Sequence, residues 1–339
     1  MIAPPRDLLG RPLTDLRVSV TDRCSLRCAF CMPGDREYEF LDRAELLTYE
    51  ETARLVRLFA GLGVTKVRLT GGEPLLRRDL HRLVALLAAT PGVDDLALTT
   101  NGLLLARDAA ALRAAGLLRV TVSLHSLRAE IFDRLSGSRG QLPAVLAGIE
   151  AAAGAGLAPI KVNAVVVRGV NDDEVAELAR FFKRPGFVLR FIEYMDVGTV
   201  NGWQPGGVVT AEEIVAKVGA ELPLAPATRA HAHDVALRFR YHDGEGELGV
   251  IASVSKPFCG DCSRARLTAD GQLFACLFAT TGLDLKTPLR AGESDDALAE
   301  RIAAFWGRRT DRYSEERAER LAAGLGPPPS RVEMYRIGG

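Results

Sequence analysis

The chain has 339 residues, 47% of them hydrophobic and 25% charged, a size and balance that suit a soluble protein with a barrel-sized core and an extension. Its 43 basic and 43 acidic residues give a formal net charge of zero, which argues against non-specific binding to nucleic acid or acidic membranes but leaves room for a local basic pocket. No apolar run approaches the ~18 residues of a membrane helix and the first residues hold no signal-peptide core, so a cytoplasmic chain is expected, in which six cysteines point to metal rather than to disulfides.

After a short N-terminal segment (1–15), strand patterns occur at 16–20, 66–70, 95–100, 119–124, 160–167 and 187–194. Helical patterns lie between them, among others at 49–63, 77–89, 142–156 and 172–183. Strands spaced by helices of this length predict right-handed βαβ units and a parallel sheet over 16–200. Six such units form an incomplete barrel or an open doubly wound sheet, and pattern alone does not separate the two. NGWQPGG (201–207) breaks the pattern. Beyond it, 235–241, 249–254 and 263–278 read as antiparallel strands and 297–309 as a helix, which predicts a second domain over 201–326. The tail, 327–339, opens on three prolines and closes on Gly338 and Gly339.

The cysteines form two trios. Cys24, Cys28 and Cys31, in RCSLRCAFCMP, directly follow the first strand, where the ligand end of a parallel α/β protein lies. Three thiolates can hold three corners of a four-iron cube and leave one iron open for a substrate. A structural zinc normally takes four protein ligands, and no histidine lies near this loop. The second trio is Cys259, Cys262 and Cys276. The segment between its last two members predicts a hairpin with the three-residue loop Ala269-Asp270-Gly271, Gly271 left-handed and Thr268 paired with Gln272. That register sets Arg264 opposite Cys276, with Arg264 and Arg266 on the cysteine's face; a two-residue loop would turn both away. A zinc ribbon completed by His231 or His233 is the alternative for this trio.

The segment LRVSVTDRCSLRCAFCMP resembles the signature of the radical S-adenosylmethionine superfamily and, within it, of the GTP 3′,8-cyclases of molybdenum-cofactor biosynthesis. The resemblance continues through KVRLTGGEPLLRRDL, TTNG, VSLHSL, KVNAVV, RFIEYM, CGDCSRARLTADGQLFACLF and the diglycine end. Three positions depart from it: Phe30 stands where tyrosine is usual, His125 where aspartate is usual, and Ser25 where asparagine is common.

The resemblance implies an incomplete (β/α)6 TIM-type barrel with a C-terminal extension, two [4Fe-4S] clusters and S-adenosylmethionine. Reductive cleavage of the sulfur–C5′ bond would give a 5′-deoxyadenosyl radical that takes hydrogen from C3′ of GTP. Addition of C3′ to C8 and reduction of the resulting radical would yield the 3′,8-cyclised nucleotide, so the cofactors, not side chains, carry the chemistry. Cys24, Cys28 and Cys31 would bind the first cluster, and Phe30, Gly71, Gly72, Glu73, Ser123 and Met195 would contact S-adenosylmethionine. Cys259, Cys262 and Cys276 would bind the second cluster, whose open iron would hold guanine. Arg17, Arg68, Thr99, Lys161, Arg190, Arg264, Ala265 and Arg266 would bind GTP, with Gly338 and Gly339 reaching in from the tail. Basic side chains on four different strands also point to an anion by themselves, because buried cations are costly without one. The implied partners are an electron donor such as flavodoxin or ferredoxin, cyclic pyranopterin monophosphate synthase as receiver of the product, and a second copy in a homodimer. Two other readings stand beside this one: a radical enzyme that modifies a peptide, and a zinc-binding regulatory protein.

Overall fold

A computed structural model describes residues 3–228, 234–325 and 331–338. Six strands follow one another in the first part: β1 (Asp15–Ser19), β2 (Lys66–Thr70), β3 (Asp95–Thr100), β4 (Arg119–Ser123), β5 (Ile160–Val166) and β6 (Phe187–Glu193). Between them run α1 (Tyr49–Gly61), α2 (Leu80–Ala88), α3 (Leu105–Ala114), α4 (Ala129–Ser136), α5 (Leu142–Gly154) and α6 (Val175–Phe182). Helix α1 starts at a reciprocal cap between Thr48 and Glu51, and turns Thr52, Leu55, Val56 and Phe59 to one buried face. The pattern at 77–89 yields a later helix, from Leu80, because Asp79 before it takes a left-handed φ of 57°.

All six strands are parallel and neighbour one another in chain order, β1 through β6. A doubly wound sheet needs a point where that order reverses. Here there is none, so successive right-handed crossovers lay every helix on the same side and the sheet curls toward an incomplete barrel. Period-two alternation sorts the side chains. Leu16, Val18, Val67, Leu69, Ile160, Val162, Leu189 and Phe191 belong to one apolar core cluster. Burying each such side chain contributes about 1.5–3 kcal/mol. Arg17, Arg68, Lys161 and Arg190 stand between them in sequence and therefore on the other, inner face.

The remainder contains α7 (Ala211–Gly219), β7 (Leu224–Ala227), β8 (Leu237–Tyr241), β9 (Glu247–Ile251), β10 (Arg264–Leu267), β11 (Gln272–Phe274) and β12 (Leu283–Asp284). Four helices follow: α8 (Lys286–Arg290), α9 (Asp295–Gly307), α10 (Tyr313–Ala322) and α11 (Met334–Ile337). The later strands are antiparallel to one another, as β7–β8–β9 and β10–β11–β12. At their junctions with the barrel they are parallel, β9 beside β6 and β10 beside β1. Both edges of the six-stranded core are thereby extended, giving one open sheet of twelve strands. No helix among the described residues is long and apolar enough to cross a membrane.

Candidate active site

The first cysteine trio lies on the loop that leaves the C-terminal end of β1. Two backbone bonds pin this loop to the end of α4: Arg27 N to Ser136 O at 2.9 Å and Ala29 N to Leu135 O at 3.0 Å. Cys24 Sγ accepts from Leu26 N at 3.4 Å and lies 3.9 Å from Asn101 Nδ2. Burial pushes the Cys28 thiol up to about 12 and raises Cys24 and Cys31 as well, and Cys28 and Cys24 add to the rise at Cys31. Three half-buried sulfurs on one short loop are poor thiolates alone and good ligands once a metal offsets their charge.

The second trio sits at the opposite end of the strands. Cys259 and Cys262 close a single tight turn just before β10, and Cys276 follows β11. Since β10 runs parallel to β1 with Arg264 beside Asp15, this trio faces the start of β1 while the first trio faces its end. Four residue steps separate Asp15 from Ser19, about 13 Å along the strand. Burial raises the Cys259 thiol and pushes Cys276 up to about 11. Burial also lifts Cys262, but Arg264 and Arg309 outweigh it and hold that thiol at about 6. Arg264 Nη2 is 3.3 Å from Cys262 Sγ. Among the described residues no group of three or more His, Cys, Asp or Glu side chains is placed to hold one metal ion. Each cysteine of a cube binds its own iron, so its sulfurs need not converge on one point. His231 and His233 lie outside the described residues.

The hairpin has the expected register. Arg266 pairs with Phe274 and Leu267 with Leu273, Thr268 N bonds Gln272 O at 2.9 Å, and Gly271 takes a φ of 79°. Arg264 and Arg266 therefore share the inner face, while Ala265 between them is in the apolar core.

Between the two trios runs a row of cations. Arg17 is in register with Arg266 on one side and Arg68 on the other. Arg68 Nη1 donates to Thr121 Oγ1 at 3.0 Å and Thr99 Oγ1 at 3.3 Å. Thr121 is in turn in register with Thr99 and Lys161. Arg190 Nε donates to Asn163 Oδ1 at 2.9 Å. Burial, then the charges of Arg266, Arg264, Arg68 and Arg190, hold Arg17 well below its ordinary value. Burial is also the main cause for Arg68, down to about 10, Arg190 and Arg266, each down to about 9, and Lys161, down to about 7. Such a set is unfavourable in an empty protein and favourable around a polyanion.

The paired glycines approach the chain's own backbone. A Cβ on Gly71 would lie 2.3 Å from Thr21 O, and one on Gly72 would lie 2.2 Å from Arg23 O. Gly72 N donates to Thr21 O and Glu73 N to Arg23 O, both at 2.8 Å. The loop thus braces the segment that leads into Cys24. The buried Glu73 carboxylate accepts from Thr100 Oγ1 at 2.7 Å, Asn101 N at 2.7 Å and Leu75 N at 3.0 Å, while burial lifts it to about 7. Asn101 completes a chain from Glu73 to Cys24. Ser123 ends β4 in register with Asn163, and the partly exposed Met195 follows β6.

Two of the three departures from the family pattern touch each other. Phe30 and His125 meet edge to face, with ring centres 4.7 Å apart. His125 Nδ1 accepts from Val165 N at 3.1 Å, and burial lowers the imidazole to about 4, so at neutral pH it is an uncharged acceptor. The tail returns to the barrel mouth. Tyr335 packs edge to face on Tyr38 and Phe40, both in the loop that follows Cys31. Gly338 sits between Ser19 and Thr70, at the ends of β1 and β2, and its carbonyl accepts from Arg266. Gly339 lies outside the described residues.

Several residues of this site had no role assigned from the sequence. Thr121 had only its alternation phase, and Asn163 and Glu193 lie inside KVNAVV and RFIEYM without a role read for them there. Glu193 accepts from Ala211 N and Val254 N at 2.7 Å, Ser255 N at 2.8 Å and Ser255 Oγ, tying β6 to α7 and to the loop after β9. Asp196 accepts from Arg317 Nε at 2.8 Å and Arg331 Nη1 at 3.1 Å, joining the end of β6 to α10 and the tail.

Comparison with known proteins agrees with this geometry. Residues 18–182 match the family model of the radical SAM superfamily, and residues 187–315 match that of Molybdenum Cofactor Synthesis C. The chain is 56% identical to a GTP 3′,8-cyclase of Acidothermus cellulolyticus, over 94% of this chain and 90% of that protein. It is 52% identical to one from Xanthomonas axonopodis pv. citri, over the full length of both, and 47% identical to one from Aquifex aeolicus, over 98% and 99%. The crystal structure of Streptococcus suis SuiB bound to S-adenosylmethionine shares the fold at 17% identity and a TM-score of 0.61, covering 93% of this chain and 71% of that one. Identity of this order along nearly the entire chain makes it a member of the GTP 3′,8-cyclase family within the radical S-adenosylmethionine superfamily.

Proposed function

We propose that the chain is a GTP 3′,8-cyclase that converts GTP to (8S)-3′,8-cyclo-7,8-dihydroguanosine 5′-triphosphate, the first step of molybdopterin biosynthesis. Family membership supports the activity, and one observation supports the site: a row of closely spaced cations on neighbouring strands runs between two half-buried cysteine trios at opposite ends of the same strands. When bound, a cluster on Cys24, Cys28 and Cys31 and its S-adenosylmethionine supply the one-electron chemistry of the superfamily. Every other task falls to the chain. The donor set of the second trio, three sulfurs with Arg264 on one of them, fits a second [4Fe-4S] cluster.

Arg17, Arg68, Lys161, Arg190, Arg264 and Arg266 bind and orient the triphosphate through charge-assisted hydrogen bonds, and Thr99 and the Ala265 backbone add neutral contacts. Between the trios the nucleotide has its base toward Cys259, Cys262 and Cys276 and its ribose toward the first trio. Phe30, Gly71, Gly72, Ser123 and Met195 line the S-adenosylmethionine side, with Glu73 fixing the loop. Gly338 closes the mouth and helps exclude water from a reactive centre. This reading keeps 16–200 as the barrel domain, 201–326 as the second-cluster domain and 327–339 as the tail. It also retains a cytoplasmic homodimer, reduced by a flavodoxin or ferredoxin and passing its product to cyclic pyranopterin monophosphate synthase. Anaerobic incubation of reconstituted protein with S-adenosylmethionine and a reductant tests it. Formation of 5′-deoxyadenosine rises when GTP is added; a yield indifferent to GTP removes the substrate assignment.

A further inference from the structure

Three ionic side chains that the nucleotide row does not include meet behind the second trio. Asp7 and Arg11 come from the N-terminal segment and Arg309 from just beyond α9, and their side chains are 0%, 1% and 1% exposed. Asp7 Oδ2 takes Arg11 Nε at 2.5 Å and lies 3.5 Å from Arg309 Nη1. Asp7 Oδ1 accepts from Leu9 N and Arg11 N, each at 2.9 Å, which shapes the turn carrying Arg11. Trp306 holds the other side: its Nε1 donates to Arg11 O at 3.0 Å, and the Arg309 guanidinium lies 4.6 Å over its ring.

Each arginine aims its Nη1 at the segment around the second trio. Arg11 Nη1 donates to Cys259 O at 2.9 Å and to Asp311 O at 2.8 Å. Arg309 Nη1 donates to Cys262 O at 2.6 Å. The backbones of two cysteines of one trio are thus each held by a buried guanidinium, and both guanidiniums are steered by one carboxylate. Anchoring an N-terminal segment does not require this arrangement. Apolar packing would do it without desolvating three charges, which is expensive unless their geometry serves something. Asp311 Oδ2 lies 3.7 Å from Arg309 Nε, so the two cations face two carboxylates, and the positive charge next to the sulfurs is the Arg309 guanidinium, which acts directly on Cys262. A [4Fe-4S] core of charge +2 with three thiolates carries one net negative charge, to which that guanidinium is complementary.

We propose that Asp7, Arg11 and Arg309 are positioning residues for the second cluster, holding the Cys259 and Cys262 backbone from behind and offsetting the cluster's charge. The inference rests on the reading of the second trio as a cluster site. Outer partners of this kind orient ligands and tune metal centres.

The test uses full-length protein reconstituted anaerobically, with iron per chain, the electron paramagnetic resonance signal of each cluster and the second cluster's midpoint potential as readouts. Wild type holds about eight irons per chain. Arg11→Gln and Arg309→Gln lose up to half of that iron, about twofold, and all of the loss falls on the second cluster's signal while the first keeps its own. Where the second cluster persists, its potential moves to a more negative value, because a positive charge has gone. Arg309→Lys restores the potential but not the spectrum, since the charge returns without the planar fork. Should the glutamine variants fail to fold, Arg309→Lys alone decides: a second-cluster spectrum identical to wild type overturns the proposal. Full iron with unchanged signals and potential in the glutamine variants overturns it too, as does an equal loss of both clusters, the mark of a general loosening. Wild-type protein that takes up only about four irons and shows one signal instead refutes the second-cluster reading itself.

Discussion

Arg17→Met separates the two roles of the cation row, because it should strengthen the empty protein and weaken the loaded one. Arg17 stands directly between Arg266 and Arg68, and the strongest charges acting on it are all arginines. Replacing a buried charge with an apolar side chain of similar volume is neutral or stabilising by about 1–4 kcal/mol, and the lower part of that range, about 1–2 kcal/mol, suits a side chain that is only partly buried. Unfolding entropy of about 2.1 cal/mol/K per residue gives about 0.7 kcal/mol/K for 339 residues, so Tm should rise by about 1–3 °C. With GTP the sign reverses. Hydrogen bonds to a charged group are worth about 1.5–3 kcal/mol, equivalent to about 10- to 150-fold in Kd. Anaerobic differential scanning calorimetry with and without GTP reads the first effect, and titration calorimetry the second. A Tm below wild type in the absence of GTP, or an undiminished affinity for GTP, would refute the claim that this row is a polyanion site held at the expense of stability.

Lys161 provides a pH test. Its folded value is about 7 against an ordinary 10.5, so between those values the unfolded chain binds a proton that the folded chain has released, and stability rises with pH across that window. Denaturation at pH 7 and pH 9 should show this slope in wild type and a shallower one in Lys161→Met; equal slopes contradict the shift. Glu193→Gln turns an amide N–H₂ toward two of the four donors now bonded to the carboxylate, and should lower unfolding free energy by about 2–3 kcal/mol in urea titrations. A change under about 0.5 kcal/mol would mean that this carboxylate is not the tie between β6 and α7. Gly72→Ala forces a Cβ to within 2.2 Å of Arg23 O, so the segment entering Cys24 must move. Iron at the first trio should fall while the second trio keeps its share, and full iron with an unchanged melting temperature speaks against the bracing role.

Much of the site could be read one strand at a time. Alternation is local, so Arg17, Arg68, Lys161 and Arg190 could be assigned to the face opposite Leu16, Leu69, Val162 and Leu189 without coordinates. The hairpin was legible for the same reason: Gly271 in a left-handed turn sets the pairing of Thr268 with Gln272, and that pairing puts Arg264 and Arg266 on one face. The grouping of cysteines in threes was plain from their spacing.

What needed the assembled fold was every relation between segments distant in sequence. No local pattern says that β10 joins β1 in parallel, and only that junction puts the second trio at the far end of the strands from the first. The same holds for Glu193, Asp196 and the meeting of Asp7 and Arg11 with Arg309 and the Cys259 backbone, where the partners lie tens to hundreds of residues apart. Sequence by itself determined which residues carry chemistry and which face of a strand they occupy, because side-chain type and backbone period are properties of a few neighbouring residues. Only tertiary structure decided which of those faces meet, because a long connection leaves open where a strand returns until the hydrogen bonds of a sheet edge and the burial of its apolar face select one place.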